Sequence, residues 1–201
     1  MSVLTASLNV LPAVPRDPIV RLSVEQYHEM IRAGILTADD QVELLEGWLV
    51  AKMPKKPQHR IATRLTQNAL AAIVPDGWYV DAQEPITLAD SEPEPDVMIV
   101  RGETQDYHDR HPHADEIALV VEIADSTLER DRSTKKRMYA RAGIPVYWIV
   151  NLVDNTCEVY STPSVAGADY QQIDIYDLTG TLPVLIEERE IGTVRVQDLL
   201  R

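Results

Sequence analysis

Ile117-Ala118-Leu119-Val120-Val121-Glu122-Ile123 decides how this chain is read. An apolar run of this length, rich in β-branched residues and succeeded by polar ones, is the pattern of a strand buried on both faces. Its single carboxylate, Glu122, sits near the C-terminal end. An ionised carboxylate in such surroundings costs several kcal/mol or changes its pKa unless a metal ion, a cation or a proton meets it. Upstream, Pro95-Asp96 opens a second apolar run, Val97-Met98-Ile99-Val100. Downstream, Leu128, Asp131, Lys135, Met138, Tyr139 and Ala142 recur at helical spacing on one face. Lys135 therefore lies in the stripe that packs on the sheet. An Asp and a Glu from two strands, with a Lys from a helix, compose a hydrolytic metal site.

The segments around this core complete an α/β domain with a mixed sheet. Gly143 ends the helix, Pro145 restricts the backbone beyond it, and Val146-Tyr147-Trp148-Ile149-Val150 returns as a buried strand. Strand, helix and strand in this order favour a right-handed crossover and parallel pairing. Nearer the N-terminus, Ser23 and Gln26 form a capping box that opens a helix through Ala33, stopped by Gly34. Val42–Glu46 and Trp48–Met53 read as a hairpin around Gly47. A second helix starts near Pro57 and carries Ile61, Leu65, Leu70 and Ile73 up to Pro75. Strands are expected at Trp78–Ala82, Ile86–Leu88 and Asp96–Val100, then a polar loop before Ile117. Shorter strands are expected at Cys157–Ser161, Tyr170–Ile175 and Leu182–Ile186, with a closing helix at Val196–Leu200. Residues 1–20, with Pro12, Pro15 and Pro18, read as an irregular arm, and 21–201 as a single domain.

Composition narrows the function classes. No apolar stretch reaches the length of a membrane span, and no basic-then-apolar leader opens the chain, so a soluble cytoplasmic protein is expected. The lone Cys157 excludes an intramolecular disulfide and a cysteine-rich zinc site, and is read as a small strand residue. There is no Gly-rich phosphate loop and no Ser or Cys nucleophile elbow. Trp48, Trp78 and Trp148 fall in apolar strand patterns, where core packing is the default. His111-Pro112-His113-Ala114-Asp115, with His108, lacks the downstream histidines of a metallohydrolase and reads as a polar loop.

The formal net charge of −13 argues at first against a polyanionic partner. Its distribution argues the other way. Residues 52–64 and 130–141 hold 11 of the 19 basic residues and one of the 32 acidic ones. They are either two solvated helix faces or a cationic track beside the carboxylates, and patch charge is what steers a polyanion. In the second reading Lys55, Lys56, Arg60, Arg64, Arg132 and Lys136 contact nucleic acid. Asp96 and Glu122 are hard oxygen ligands suited to Mg²⁺ or Mn²⁺. Lys135 would position or deprotonate a water, or neutralise the transition state; alternatively, Glu122 and Lys135 form a structural ion pair. His59 could assist the metal or a phosphate or serve as a polar helix-start residue, and Glu46 could complete the carboxylate set.

Pro95-Asp96, Glu122-Ile123-Ala124, Asp131-Arg132-Ser133-Thr134-Lys135, Tyr139-Ala140-Arg141-Ala142-Gly143-Ile144-Pro145 and Tyr147-Trp148-Ile149-Val150 resemble the PD-(D/E)XK nuclease superfamily. More narrowly, they resemble its branch of restriction-endonuclease-like proteins long catalogued as a domain of unknown function. Glu43-Leu44-Leu45-Glu46-Gly47 and Pro57-Gln58-His59 also fit that branch. The resemblance implies a restriction-endonuclease-like core with flanking helices and extra C-terminal strands. It also implies divalent-metal-dependent cleavage of phosphodiester bonds, with Asp96 as the motif aspartate and Glu122 as the second carboxylate. The lysine expected two residues after Glu122 is Ala124 here, and Lys135, from the next helix, matches the substitute of this branch. The expected function is a Mg²⁺- or Mn²⁺-dependent DNA endonuclease, and by analogy a homodimer. A catalytically inactive binding module and a hydrolase of small phosphate esters are the alternatives.

Overall fold

The computed structural model describes residues 19–200, so the expected N-terminal arm lies outside the described residues apart from Ile19 and Val20. Helix α1 (Val24–Arg32) starts on the expected capping box: Gln26 N–H donates to Ser23 Oγ, and Ser23 N–H donates to Gln26 Oε1. Strands β1 (Val42–Leu45) and β2 (Trp48–Ala51) form the expected hairpin. Its turn places Glu46 and Gly47 at φ of 49° and 79°. At Gly47 a Cβ would lie 2.5 Å from Arg21 Cβ, so both conformation and space require glycine. Helix α2 (Pro57–Ala71) carries Pro57 at its start, where the missing N–H costs nothing.

Strands β3 (Trp78–Asp81), β4 (Val97–Arg101) and β5 (Ile117–Ala124) come next, and all eight residues of β5 are buried. The segment expected to be one helix is built in three parts: α3 (Leu128–Arg130), a π-helical turn at Asp131–Lys135, and α4 (Lys136–Ala142). Beyond it come β6 (Val146–Asn151), β7 (Thr156–Ser164) and β8 (Asp169–Tyr176). The chain then forms β9 (Thr181–Ile186), β10 (Arg189–Arg195) and α5 (Val196–Leu200). The main sheet runs β3-β4-β5-β6-β7-β8, antiparallel throughout except β5–β6, the parallel pair that a strand–helix–strand crossover demands.

Alternation along the central strands gives the sheet two buried faces. Val97, Ile99, Leu119, Val121 and Ile123 point to one side, against Ala62 and Leu70 of α2, Leu182 and Val184 of β9, and Leu199 of α5. Met98, Val100, Val120 and Ala124 point to the other, against Met138, Tyr139 and Ala140 of α4 and Leu45 of β1. Glu122 lies in phase with the second set, so its carboxylate is directed at the crossover helix.

Three expectations are corrected. Ile86–Leu88 is not a strand: Ile86 N–H donates to Pro93 O and Leu88 N–H to Ser91 O, so the segment closes on itself between prolines that cannot extend a ladder. The C-terminal region contains a further strand, β10, which its sequence disguises because Arg189-Glu190 and Gly192 break the apolar alternation. Trp48 is 39% exposed at the hairpin, beneath the Arg21 guanidinium, whereas Trp148 is fully buried as expected. Among the described residues no helix is long and apolar enough to cross a membrane.

Candidate active site

Val97 pairs with Val121 in the antiparallel β4–β5 ladder. The next pair outward is Asp96 and Glu122, two carboxylates facing each other on one side of adjacent strands. Each has one oxygen bound by the protein. Asp96 Oδ2 accepts the Ile123 N–H at 2.9 Å and lies 3.1 Å from His59 Nε2. Glu122 Oε1 accepts both Lys135 Nζ and Tyr139 Oη, each at 2.7 Å. The second oxygens, Asp96 Oδ1 with Lys55 Nζ at 3.6 Å and Glu122 Oε2, remain for a cation.

Lys135 and Tyr139 are four residues apart, so one helical face supplies both donors, across the junction of the π-turn with α4. Lys136 N–H bonds to Asp131 O, five residues back, so the turn holds one residue more than an α-turn. Met138 and Tyr139 face the sheet as expected, Ala142 packs partly buried against the same core, and Ala140 joins the buried set. Tyr139, one turn beyond Lys135, reaches the same Glu122 oxygen. The turn is tied down by Tyr147 Oη, which donates to Asp131 O at 3.2 Å, and by Thr127 Oγ1, which donates to Asp131 Oδ2 at 2.6 Å.

Charge in the site does not balance. Glu43, Asp96, Glu122 and Asp131 are all buried, and Lys135 is the only buried ammonium among them. Lys135 Nζ bonds to Glu122 and lies 3.7 Å from Glu43 Oε2. Burial pushes the Glu122 carboxyl up, with the Lys135 ammonium opposing and the Asp131 and Asp96 carboxylates adding to the rise. Burial also lifts Asp131. Asp96 is held below its ordinary value: burial alone would raise it, but His59 and the Ile123 N–H more than compensate. Burial acts against the Lys135 ammonium, yet Glu122, Glu43 and Asp131 together keep it protonated.

These groups line a pocket of about 80 Å³, with Lys55 and Lys56 at its rim. The donor set fits a hard divalent cation, because the four buried carboxylates outnumber the one buried ammonium, and such an excess of carboxylate oxygen is what Mg²⁺ or Mn²⁺ offsets. Among the described residues no three His, Cys, Asp or Glu side chains converge as a ready chelate, so water or phosphate oxygens would complete the shell.

Asp96, Glu122, Lys135 and His59 thus come together as the sequence suggested. Other expected residues do not join them. Glu46 lies outside the pocket, held by Arg137 at 2.5 Å and Arg141 at 3.2 Å, because the left-handed turn aims it at the back of α4. Arg132 is bonded through Nε and Nη2 to buried Glu158, and Lys136 pairs with Asp169 at 2.8 Å. Arg64 lies on α2 beyond the pocket, as does Arg60. Sequence reading misses Glu43, Asp131 and Tyr139 as site residues. Glu43 carries the signal that exposes Glu122, one acid inside an apolar strand, and Asp131 stands on the apolar stripe. Tyr139 stands on the same stripe, four residues after Lys135, where sequence reading takes it as packing alone.

The match to known proteins agrees with this architecture. Residues 24–193 match the model of the Uma2 family, described as "Putative restriction endonuclease". No curated protein matches the chain. A crystal structure reported as "a putative nuclease belonging to DUF820", from Anabaena variabilis, superposes with a TM-score of 0.65 at 14% identity. The alignment covers 89% of this chain and 97% of that one, and it shows a shared fold. On the extent of the family match, this chain belongs to the Uma2 family of restriction-endonuclease-like proteins.

Proposed function

We propose that the protein is a metal-dependent nuclease that hydrolyses phosphodiester bonds in DNA, with Asp96 and Glu122 holding Mg²⁺ or Mn²⁺. The observation that carries this reading is the buried excess of carboxylates, four against one ammonium, with Glu122 Oε2 unbonded among the described residues and Asp96 Oδ1 met only by the half-exposed Lys55 at 3.6 Å. A divalent cation there would acidify a bound water and offset charge on the phosphorane. The chain's residues do the rest. Asp96 is fixed by His59 and the Ile123 N–H, and Glu122 by Lys135 and Tyr139, so both carboxylates are pre-oriented. Lys135, bonded to Glu122 and 3.7 Å from Glu43, supplies a fixed positive charge for the developing phosphorane. A water oxygen bonds to phosphorus as a phosphorus–ester oxygen bond breaks; the water's proton passes to bulk solvent, and the departing oxygen takes one back from it.

Supercoiled plasmid incubated with Mg²⁺, Mn²⁺ or chelator tests the proposal. Wild type is expected to nick with metal only, and Asp96→Asn to leave the plasmid intact. Equal nicking by both proteins would expose a contaminant. No nicking by wild type with either metal would leave the fold as a non-catalytic binding module.

A further inference from the structure

Most cations of the two basic stretches already have carboxylate partners. Lys52 pairs with Glu94, Lys55 with Asp96, Lys56 with Asp125, Arg132 with Glu158, Lys135 with Glu122 and Lys136 with Asp169. Arg137 and Arg141 pair with Glu46, and Arg141 also with Asp90. Arg130 donates to the Ala51 carbonyl at 3.3 Å. Among the described residues Arg60 and Arg64 have no acidic partner; Arg64 reaches only the Gln67 amide oxygen, at 3.3 Å. Both arginines are exposed, and α2 contains none of the chain's 32 acidic residues. They are one helical turn apart on one face, with Cβ atoms roughly 6 Å from each other.

Both arginines border a groove of about 690 Å³ whose apolar lining is Ile61, Leu65 and Ala82. Gln83 lines the same groove with its backbone at φ 63°, a conformation unusual for glutamine and held by its N–H bond to Pro95 O. The groove and the candidate active site flank the first turn of α2: Pro57 and Arg60 line the groove, while Lys56 and His59 line the carboxylate pocket.

We propose that this groove carries the phosphodiester backbone of the DNA strand that enters the site, with Arg60 and Arg64 each engaging a phosphate. The inference rests on the nuclease reading for its substrate but not for its measurement. The apolar lining suits sugar faces, and the two guanidinium forks supply bidentate contacts to phosphate oxygens. Among the described residues no aromatic side chain lines the groove, so binding tracks the backbone charge and not the base sequence. This is how a protein of net charge −13 receives a polyanion: through two unneutralised cations on an acid-free helix.

Fluorescence anisotropy with a labelled single-stranded DNA oligonucleotide, in chelator so that nothing is cut, tests the groove. Each phosphate contact contributes about 0.7 to the slope of log affinity against log salt on a single strand, so Arg60→Gln/Arg64→Gln should lower the slope by about 1.4. That corresponds to a loss of about 25-fold in affinity at 0.1 M salt. Thermal unfolding of the double variant should match wild type, since neither guanidinium is paired to a carboxylate. Arg32→Gln/Arg195→Gln removes the same net charge elsewhere and should leave the slope unchanged. An unchanged slope in the groove variant, an equal loss in the control, or no DNA binding by wild type would overturn the proposal. Failure of plasmid nicking with the binding result intact would instead remove only the nuclease reading.

Discussion

Replacing Arg132 by glutamine separates a structural role from the nucleic-acid role that its sequence position suggests. Arg132 Nε lies 3.0 and 3.1 Å from the two Glu158 oxygens, and Nη2 lies 2.5 Å from Oε1. Tyr160 Oη donates to the same carboxylate at 2.6 Å and Asn151 Nδ2 at 3.3 Å. Breaking a wholly buried ion pair costs about 3–5 kcal/mol. Here Glu158 is buried, but the Arg132 side chain is 41% exposed and two neutral donors remain. Solvent screening and those donors reduce the expected loss to about 2 kcal/mol. In a domain of this size that lowers the unfolding temperature by about 4–8 °C.

The pH dependence adds a sign. Burial would raise the Glu158 carboxyl, but Arg132, Tyr160 and Asn151 together hold it below its ordinary value. A depressed carboxylate contributes stability that is present above its unfolded value, near 4.5, and is lost as pH falls through the folded one. Without Arg132 only Tyr160 and Asn151 oppose burial, so that contribution shrinks. The gap between variant and wild type should therefore narrow as pH falls from neutrality, read by thermal unfolding across the series. The anisotropy salt slope should not change, because Glu158 already neutralises the guanidinium. A variant as stable as wild type but with a weaker salt slope would show that Arg132 contacts DNA and that its pairing is incidental.

Tyr139→Phe removes one of the two donors that orient Glu122 while keeping the ring packed, so Mn²⁺ affinity, monitored by electron paramagnetic resonance, should fall about 10–100-fold; unchanged affinity would deny Tyr139 a positioning role. Lys135→Met leaves buried Glu122 without its ammonium, and apo unfolding should show a loss of about 3–5 kcal/mol. Mn²⁺ should restore more stability to that variant than to wild type, and equal stabilisation of the two would argue against a cation beside Glu122. Gly47→Ala forces a left-handed φ on alanine and a Cβ 2.5 Å from Arg21 Cβ, so the hairpin should lose about 1–3 kcal/mol. A neutral result in chemical denaturation would mean that the turn can relax.

How much of this fold and site is legible in the sequence depends on whether local pattern or register carries the information. Buried strands, the capping box at Ser23 and the parallel β5–β6 pair are consequences of periodicity and chain order. Asp96 and Glu122 are recognisable because each is a charge attached to an apolar run. Glu43 offers the same signal in a four-residue strand, too short for its burial to be inferred. The π-turn is hidden, since an inserted residue leaves composition and the apolar stripe of Met138, Tyr139 and Ala142 unchanged. The basic stretches mislead for a related reason. Arg132 and Lys136 occur beside Lys135 in sequence, but their acidic partners, Glu158 and Asp169, come from strands far along the chain. Glu46 is misplaced because a left-handed turn residue does not continue the alternation of the strand before it.

Anomalous scattering from a crystal soaked in Mn²⁺ tests most directly whether Asp96 and Glu122 jointly hold a divalent cation. The expected result is a single peak bonded to Asp96 Oδ1 and Glu122 Oε2, with Lys135 Nζ still on Glu122 Oε1. A peak at other residues, or none while the carboxylates keep their present partners, would contradict it.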